Sequence, residues 1–109
     1  MADSLGTFEQ AVLLAIIRLK EDAYGRAILA DLETRLERDV APGAVQATLE
    51  RLDNKGLVKS TLGPGTEIRA GRPRRFYRVS ASGLAALNEA RSTVEQLWRG
   101  VRWPLKGII

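Results

Sequence analysis

Gly56 divides this 109-residue chain into two stretches that follow different periodicities. Before it, apolar residues recur three and four positions apart. After it they fall into short runs rich in aromatic and β-branched types, interrupted by Gly63-Pro64-Gly65 and Gly71-Arg72-Pro73. Such a chain is neither helical throughout nor a β-sandwich. The pattern predicts a mainly α protein with one β-hairpin.

The helical part resolves into three segments. Leu5, Phe8, Val12, Ala15/Ile16 and Leu19 predict a first helix from about Thr7 to Lys20, with Thr7 and Gln10 in capping-box spacing. Leu13, Leu14 and Ile17 fall on its other faces, so it is expected to be covered on more than one side. Asp22 suits the cap of a second helix carrying Ile28, Leu29, Leu32 and Leu36, with Asp31 and Arg35 spaced as an i,i+4 pair. The third helix is the best delimited. Pro42 suits its first turn, Val45, Leu49 and Leu52 form its inner face, and Gly56 stands where a left-handed C-terminal residue belongs.

Leu57–Leu62 and Arg74–Val79 read as the two strands. The eleven residues between them, with three Gly and two Pro, are too many for a tight turn and form the hairpin tip, expected to be mobile. Ser80 or Ser82 then opens a last helix running to about Val101. Along it Leu84, Leu87, Val94, Trp98 and Val101 make a seam that Arg91 interrupts.

Absences narrow the chemistry. With no Cys and no His, zinc sites, thiol catalysis and imidazole acid/base chemistry are excluded, and no metal or cofactor is expected. The longest apolar run, Ala11–Ile17, is far short of the roughly 20 residues that span a bilayer, and Met-Ala-Asp-Ser lacks a basic leader. A cytoplasmic protein that is not an enzyme is expected.

The net charge of +4 is unevenly spread. Residues 1–58 carry seven basic and ten acidic side chains; residues 59–109 carry ten basic and three acidic. Five of those ten are Arg69, Arg72, Arg74, Arg75 and Arg78, with no acid between them. Arginine offers bidentate hydrogen bonds to phosphates and guanine edges that lysine cannot. Density alone fits a solvated basic hairpin equally well.

Three helices followed by a hairpin is the order of a winged helix-turn-helix domain, in which the third helix enters the DNA major groove. The spacing leaves Gly43, Ala44, Gln46, Ala47 and Glu50 outward. Gln46 suits an adenine edge, Ala44 and Ala47 suit thymine methyls, and the N–H groups of Gly43 and Ala44 suit a phosphate.

Ala41-Pro42-Gly43-Ala44-Val45-Gln46-Ala47-Thr48-Leu49-Glu50-Arg51-Leu52 with Gly56-Leu57-Val58 resembles the recognition segment of PadR-type transcriptional regulators. Gly71-Arg72-Pro73-Arg74-Arg75-Phe76-Tyr77-Arg78-Val79-Ser80 is similar to that family's wing, and Tyr24-Gly25 with Ile28 and Leu32 to its second helix. The resemblance spans about residues 5 to 99. It implies a winged helix-turn-helix over 1–79, a C-terminal dimerisation helix over 80–103 and a short tail over 104–109. It also implies DNA contacts from Pro42, Gly43, Ala44, Gln46, Ala47 and Arg51 on the third helix, from Arg69, Arg72, Arg74 and Arg75 on the wing, and from Tyr24 and Gly25. Tyr24 either reaches a phosphate or packs under the wing. Several positions depart from the family pattern: Ala44 and Gln46 replace its usual Thr and Tyr, Glu50 replaces a basic or neutral side chain, and Arg26 an aromatic.

One winged helix reads a short half-site, so a homodimer on a pseudo-palindromic double-stranded operator is expected, acting as a repressor. Leu84, Leu87, Val94, Trp98 and Val101, with Leu13 and Ile17 of the first helix, are the expected dimer surface. Trp98 either packs within that interface or lines a pocket for a flat aromatic or apolar effector, as in some short members of the family. The competing reading is a winged-helix protein-interaction module whose basic hairpin docks an acidic partner.

Overall fold

The computed structural model describes residues 4–65 and 73–107. Its elements run α1 (Thr7–Leu19), a 3-10 turn (Lys20–Asp22), α2 (Gly25–Leu36), α3 (Pro42–Asn54), β1 (Val58–Gly65), β2 (Pro73–Val79) and α4 (Ala81–Trp98). The fold is the expected mainly α architecture with one antiparallel hairpin.

Local sequence explains most boundaries. α1 starts at the extended residue Gly6, whose N–H donates to Glu9 Oε1 at 3.0 Å, so Glu9 rather than Thr7 or Gln10 organises the first turn. Gln10 instead donates from Nε2 to the Leu5 carbonyl at 3.1 Å. α2 begins at Gly25, later than an Asp22 cap would place it, because Asp22 is consumed in the 3-10 turn, Tyr24 N–H returns to the Asp22 carbonyl at 3.1 Å, and Tyr24 itself is extended. α3 keeps Pro42 in its first turn, and Gly56 follows it with φ +74°, a conformation that costs glycine little.

Val12, Leu13, Ala15 and Ile16 of α1 meet Ile28 and Leu32 of α2, Val45, Leu49 and Leu52 of α3, and Val58 and Tyr77 of the hairpin in one core. Leu29 packs at its edge, and Leu36 is exposed. On the outside of the α1–α2 contact, Asp31 turns away from Arg35 and accepts from Arg18 Nε at 3.3 and 3.2 Å and from its Nη2. A guanidinium fork on a neighbouring helix offers both carboxylate oxygens a donor, which an i,i+4 surface pair does not.

The hairpin pairs Val58 with Val79 through Leu62 with Arg75, then loses register and recovers it at Gly65 opposite Pro73. Gly63-Pro64-Gly65 therefore continues β1 through an irregularity instead of ending it. Gly63 makes this possible: a Cβ there would lie 2.5 Å from the Phe76 ring. Of the eleven residues expected to form the tip, 66–72 lie outside the described residues.

Ser80 joins the hairpin to α4. Its N–H donates to the Leu57 carbonyl, its Oγ donates to the Gly56 carbonyl at 2.7 Å, and the same Oγ accepts from Gly83 N at 3.0 Å. Gly83 lies so close to β1 that a Cβ would sit 2.2 Å from the Leu57 carbonyl oxygen and 2.6 Å from Val79 Cγ1. Beyond Leu87 the helix leaves the body. Its 18 residues span roughly 27 Å, residues 91–107 are exposed, and the molecule measures 60 × 32 × 21 Å.

Alanine normally stabilises a helical position over glycine by about 1 kcal/mol. At Gly83 the sign reverses, because the added methyl must displace backbone. Gly83→Ala is expected to lower the unfolding free energy by about 1–3 kcal/mol in urea titration. A variant as stable as the parent would show that α4 shifts off the hairpin without cost.

Candidate nucleic-acid interface

The face that carries the expected DNA contacts is built where three elements converge. Tyr24 is extended and forms an isolated bridge with Phe76, while Tyr77 N–H donates to the Ala23 carbonyl at 2.8 Å. The start of α2 is thereby laced to β2. The Phe76 ring meets Tyr24 edge-on, with centroids 5.6 Å apart and planes at 72°, and the Arg74 guanidinium lies 4.2 Å from the centre of the Tyr24 ring. Tyr24 therefore packs against the wing. It serves as the floor on which Arg74 is laid, an arrangement worth about 0.5–2 kcal/mol depending on how dry it is.

Arg74 Nε is buried with no hydrogen-bond partner, which fits a guanidinium stacked on a π face. Arg75 donates from Nη1 to Ser60 Oγ at 2.9 Å across the strands. Both arginines, with Tyr24, Gly25, Arg26, Pro42, Gly43 and Gln46, line an open groove of about 770 Å³ between α2, α3 and the wing. Tyr77 forms part of its wall. Burial raises the Tyr77 hydroxyl above its usual pKa of 10.0; Arg75 opposes this, while Asp53 and Glu50 reinforce it. The phenol stays a neutral hydrogen-bonding group at physiological pH.

On α3, Val45, Thr48, Leu49 and Leu52 face the core, leaving Pro42, Gly43, Ala44, Gln46, Ala47 and Glu50 exposed. Gln46 Nε2 donates to Glu50 Oε1 at 3.3 Å. Of the two N–H groups expected to await a phosphate, that of Ala44 is already engaged, donating to the Ala41 carbonyl at 3.0 Å. Arg51 is also engaged: its Nε donates to Glu9 Oε2 at 3.3 Å and its Nη2 to Thr48 Oγ1 at 3.3 Å. Arg69 and Arg72 lie outside the described residues.

Glu9, three residues before Val12 and four before Leu13, lies on the inward side of α1 and anchors Arg51 and Lys55. The residue is only 6% exposed. Burial alone would raise its pKa, but the Gly6 N–H, Lys55 at 2.9 Å and Arg51 outweigh that effect and hold it below its ordinary value of 4.5. Phe76 reads in the sequence as a strand residue, and its pairing with Tyr24 depends on the extended backbone of Tyr24.

Of the expected dimer surface, Leu84, Val94, Trp98, Val101 and Ile17 are exposed, with Trp98 38% and Val94 47% accessible. Leu87 is half-buried against the core. Leu13 is fully buried within its own protomer and has no surface to offer; Leu14 takes the exposed place near Ile17.

These features define a winged helix-turn-helix with a cationic wing beside its third helix. Residues 13–89 match the Transcriptional regulator PadR-like family, and the chain belongs to it. That is a family of transcriptional regulators rather than enzymes. The chain is 42% identical over 62 residues to the transcriptional regulator Rv3488 of Mycobacterium tuberculosis, which covers 57% of this chain and 54% of that protein. It thus spans about half the length of that relative. Among solved structures it is similar to a PadR-like transcription factor from Bacteroides fragilis, with a TM-score of 0.74 and 26% identity over 88% of this chain and 87% of that one. A PadR-like regulator from Bacillus cereus shares the fold, with a TM-score of 0.73 at 24% identity over 94% and 95% of the two chains. Among the described residues no helix is long and apolar enough to cross a membrane.

The lowered Glu9 pKa has a definite sign in stability. The unfolded carboxyl binds a proton at higher pH than the folded one, so its contribution is present in full above the ordinary carboxylate range. It is lost as pH falls from about 4.5 through the folded value. Glu9→Gln is expected to be less stable than the parent at pH 7, with the gap narrowing below pH 4, as read by urea titration across pH. A gap independent of pH would show that the pair contributes nothing through its charge.

Proposed function

We propose that this chain is a dimeric, sequence-specific DNA-binding repressor of the PadR type, acting in the cytoplasm on a pseudo-palindromic duplex. The observation that carries this reading is the groove in which Arg74 and Arg75 stand beside the exposed, small-residue face of α3. In the proposal the wing arginines, with Arg69 and Arg72, hold phosphates. Gln46, Ala44 and Ala47 meet base edges, and Pro42 and Gly43 let the backbone approach closely. Gly25 N–H and Arg26 extend the phosphate contacts to the start of α2, where the helix dipole favours an anion.

The dimer in this proposal is carried by the apolar side of α4 and the residues just past its end. Leu84, Val94, Trp98 and Val101, together with Ile17, expose apolar surface that a small domain cannot cover itself. A second copy supplies both the cover and a second half-site. The Trp98 indole then lies between subunits, where a flat aromatic or apolar effector would stack and alter the spacing of the two recognition helices.

Gel retardation of the chain's own upstream DNA tests the central claim. Each phosphate contact contributes about 0.9 to the slope of log K against log salt. Arg74→Ala with Arg75→Ala is expected to weaken binding to all duplexes and to flatten that slope by roughly 2. An unchanged slope removes the wing from the interface. No retardation at low salt, where non-specific binding alone is visible, favours a protein-docking module instead.

Val94→Glu with Trp98→Glu places two charges in the proposed interface. Sedimentation is expected to shift from dimer to monomer, and affinity for a two-half-site duplex to fall by roughly 100-fold. Single half-site binding should be retained. A dimer that survives both charges rules out the α4 seam.

A further inference from the structure

α3 begins at Pro42 and ends at Asn54, and the cations it offers are Arg51 and the following residue, Lys55. Both point at the same anion. Glu9 Oε2, on the first turn of α1, accepts from Lys55 Nζ at 2.9 Å and from Arg51 Nε at 3.3 Å, while Glu9 Oε1 is held by the Gly6 N–H at 3.0 Å. The Glu9 side chain is 8% exposed, whereas that of Arg51 is 52% exposed. The anion is therefore fixed in place, and the cations come to it. With Arg51 and Lys55 paired, the ionised groups left on α3 are Glu50 and Asp53, both exposed and both negative.

We propose that Glu9 is a positioning residue that withdraws Arg51 and Lys55 from the DNA-facing charge of α3, making the recognition helix a poor general binder of phosphate. This rests on the DNA-binding reading above and deepens it by assigning which charges count. Releasing both Arg51 and Lys55 to phosphates would leave the buried carboxylate with the Gly6 N–H alone, and a buried charge tolerates that poorly. Affinity for any duplex then comes from the wing, whereas α3 engages only where base edges repay its approach. A helix arranged in this way adds discrimination without adding indiscriminate attraction.

The arrangement is tested by salt titration of binding to an unrelated duplex, with folding followed by circular dichroism. Glu9→Gln keeps the shape and an acceptor for Gly6 but removes the charge that holds both cations. It is expected to tighten non-specific binding, steepen the slope of log K against log salt by about 1 to 2, and reduce discrimination between operator and unrelated DNA. A purely structural role for Glu9 would lower the melting temperature and leave the slope alone.

Arg51→Ala provides the second arm, because Lys55 still compensates Glu9 in that variant. Its slope is expected to equal the parent's. A Glu9→Gln slope that is unchanged or shallower overturns the inference, as does an Arg51→Ala slope lower by about 0.9. A parent protein that binds no duplex at low salt removes the DNA-binding reading itself, and this inference with it. Parent binding with either contrary slope removes the inference alone.

Discussion

The wing is attached to the helical body through Ala23 and the extended residue Tyr24, and the face proposed to meet DNA depends on that attachment. Tyr77 N–H reaches the Ala23 carbonyl, and Tyr24 bridges to Phe76. Ala23 is fully buried, so the dipeptide sits in the body and only the Tyr24 ring reaches outward. One residue then does three things. Its backbone precedes the first turn of α2, its ring stands roughly perpendicular to Phe76, and its ring face receives Arg74. A flexible arginine loses up to about 2 kcal/mol of rotamer freedom on being ordered. Stacking on Tyr24 meets part of that cost before any ligand arrives.

A second junction sets the direction of α4. Ser80 Oγ both donates to Gly56 O and accepts from Gly83 N, so the end of α3, the start of β1 and the first turn of α4 share one hydroxyl. Gly83 against the Leu57 carbonyl brings the helix as near to the strand as backbone permits. Held tightly at its first turn, α4 points away from the core, and Val94 and Trp98 of its distal half, with Val101 just beyond, are uncovered. The apolar seam is thus a consequence of the joint.

Periodicity made most of the fold legible, since Val12, Ile28, Val45, Leu49 and Leu52 are buried for the reason their spacing suggests. What it hid were contacts between residues far apart in sequence. Asp31 and Arg35 have ideal local spacing, yet Asp31 takes the guanidinium of Arg18 on another helix. Thr7 and Gln10 fit a capping pattern, yet Glu9 serves the first turn because two cations 42 and 46 residues away also need it. Leu13 looked surplus to one helical stripe, but the hairpin and α3 enclose α1 on a second side. The site was legible as a basic hairpin beside a helix. Which of its polar groups were already engaged was not legible, since the engagement of Arg51 by Glu9 is a property of packing and that of Ala44 N–H by the Ala41 carbonyl depends on the backbone geometry of the first turn.

The pairing of Gln46 with Glu50 shows how magnitude decides whether an engaged group is still available. Their contact at 3.3 Å is exposed and joins residues four apart on one helix, a class worth about 0.2–0.5 kcal/mol. A bidentate amide contact with an adenine edge discriminates by about 1–3 kcal/mol. The weaker interaction yields, so Glu50 orients Gln46 in the free protein without withholding it. Arg51 is in the opposite position: its anion is buried, and in the proposal above that buried anion is what holds its guanidinium back from a phosphate. Two polar side chains five residues apart on one helix therefore differ in availability because one partner is wet and the other is dry.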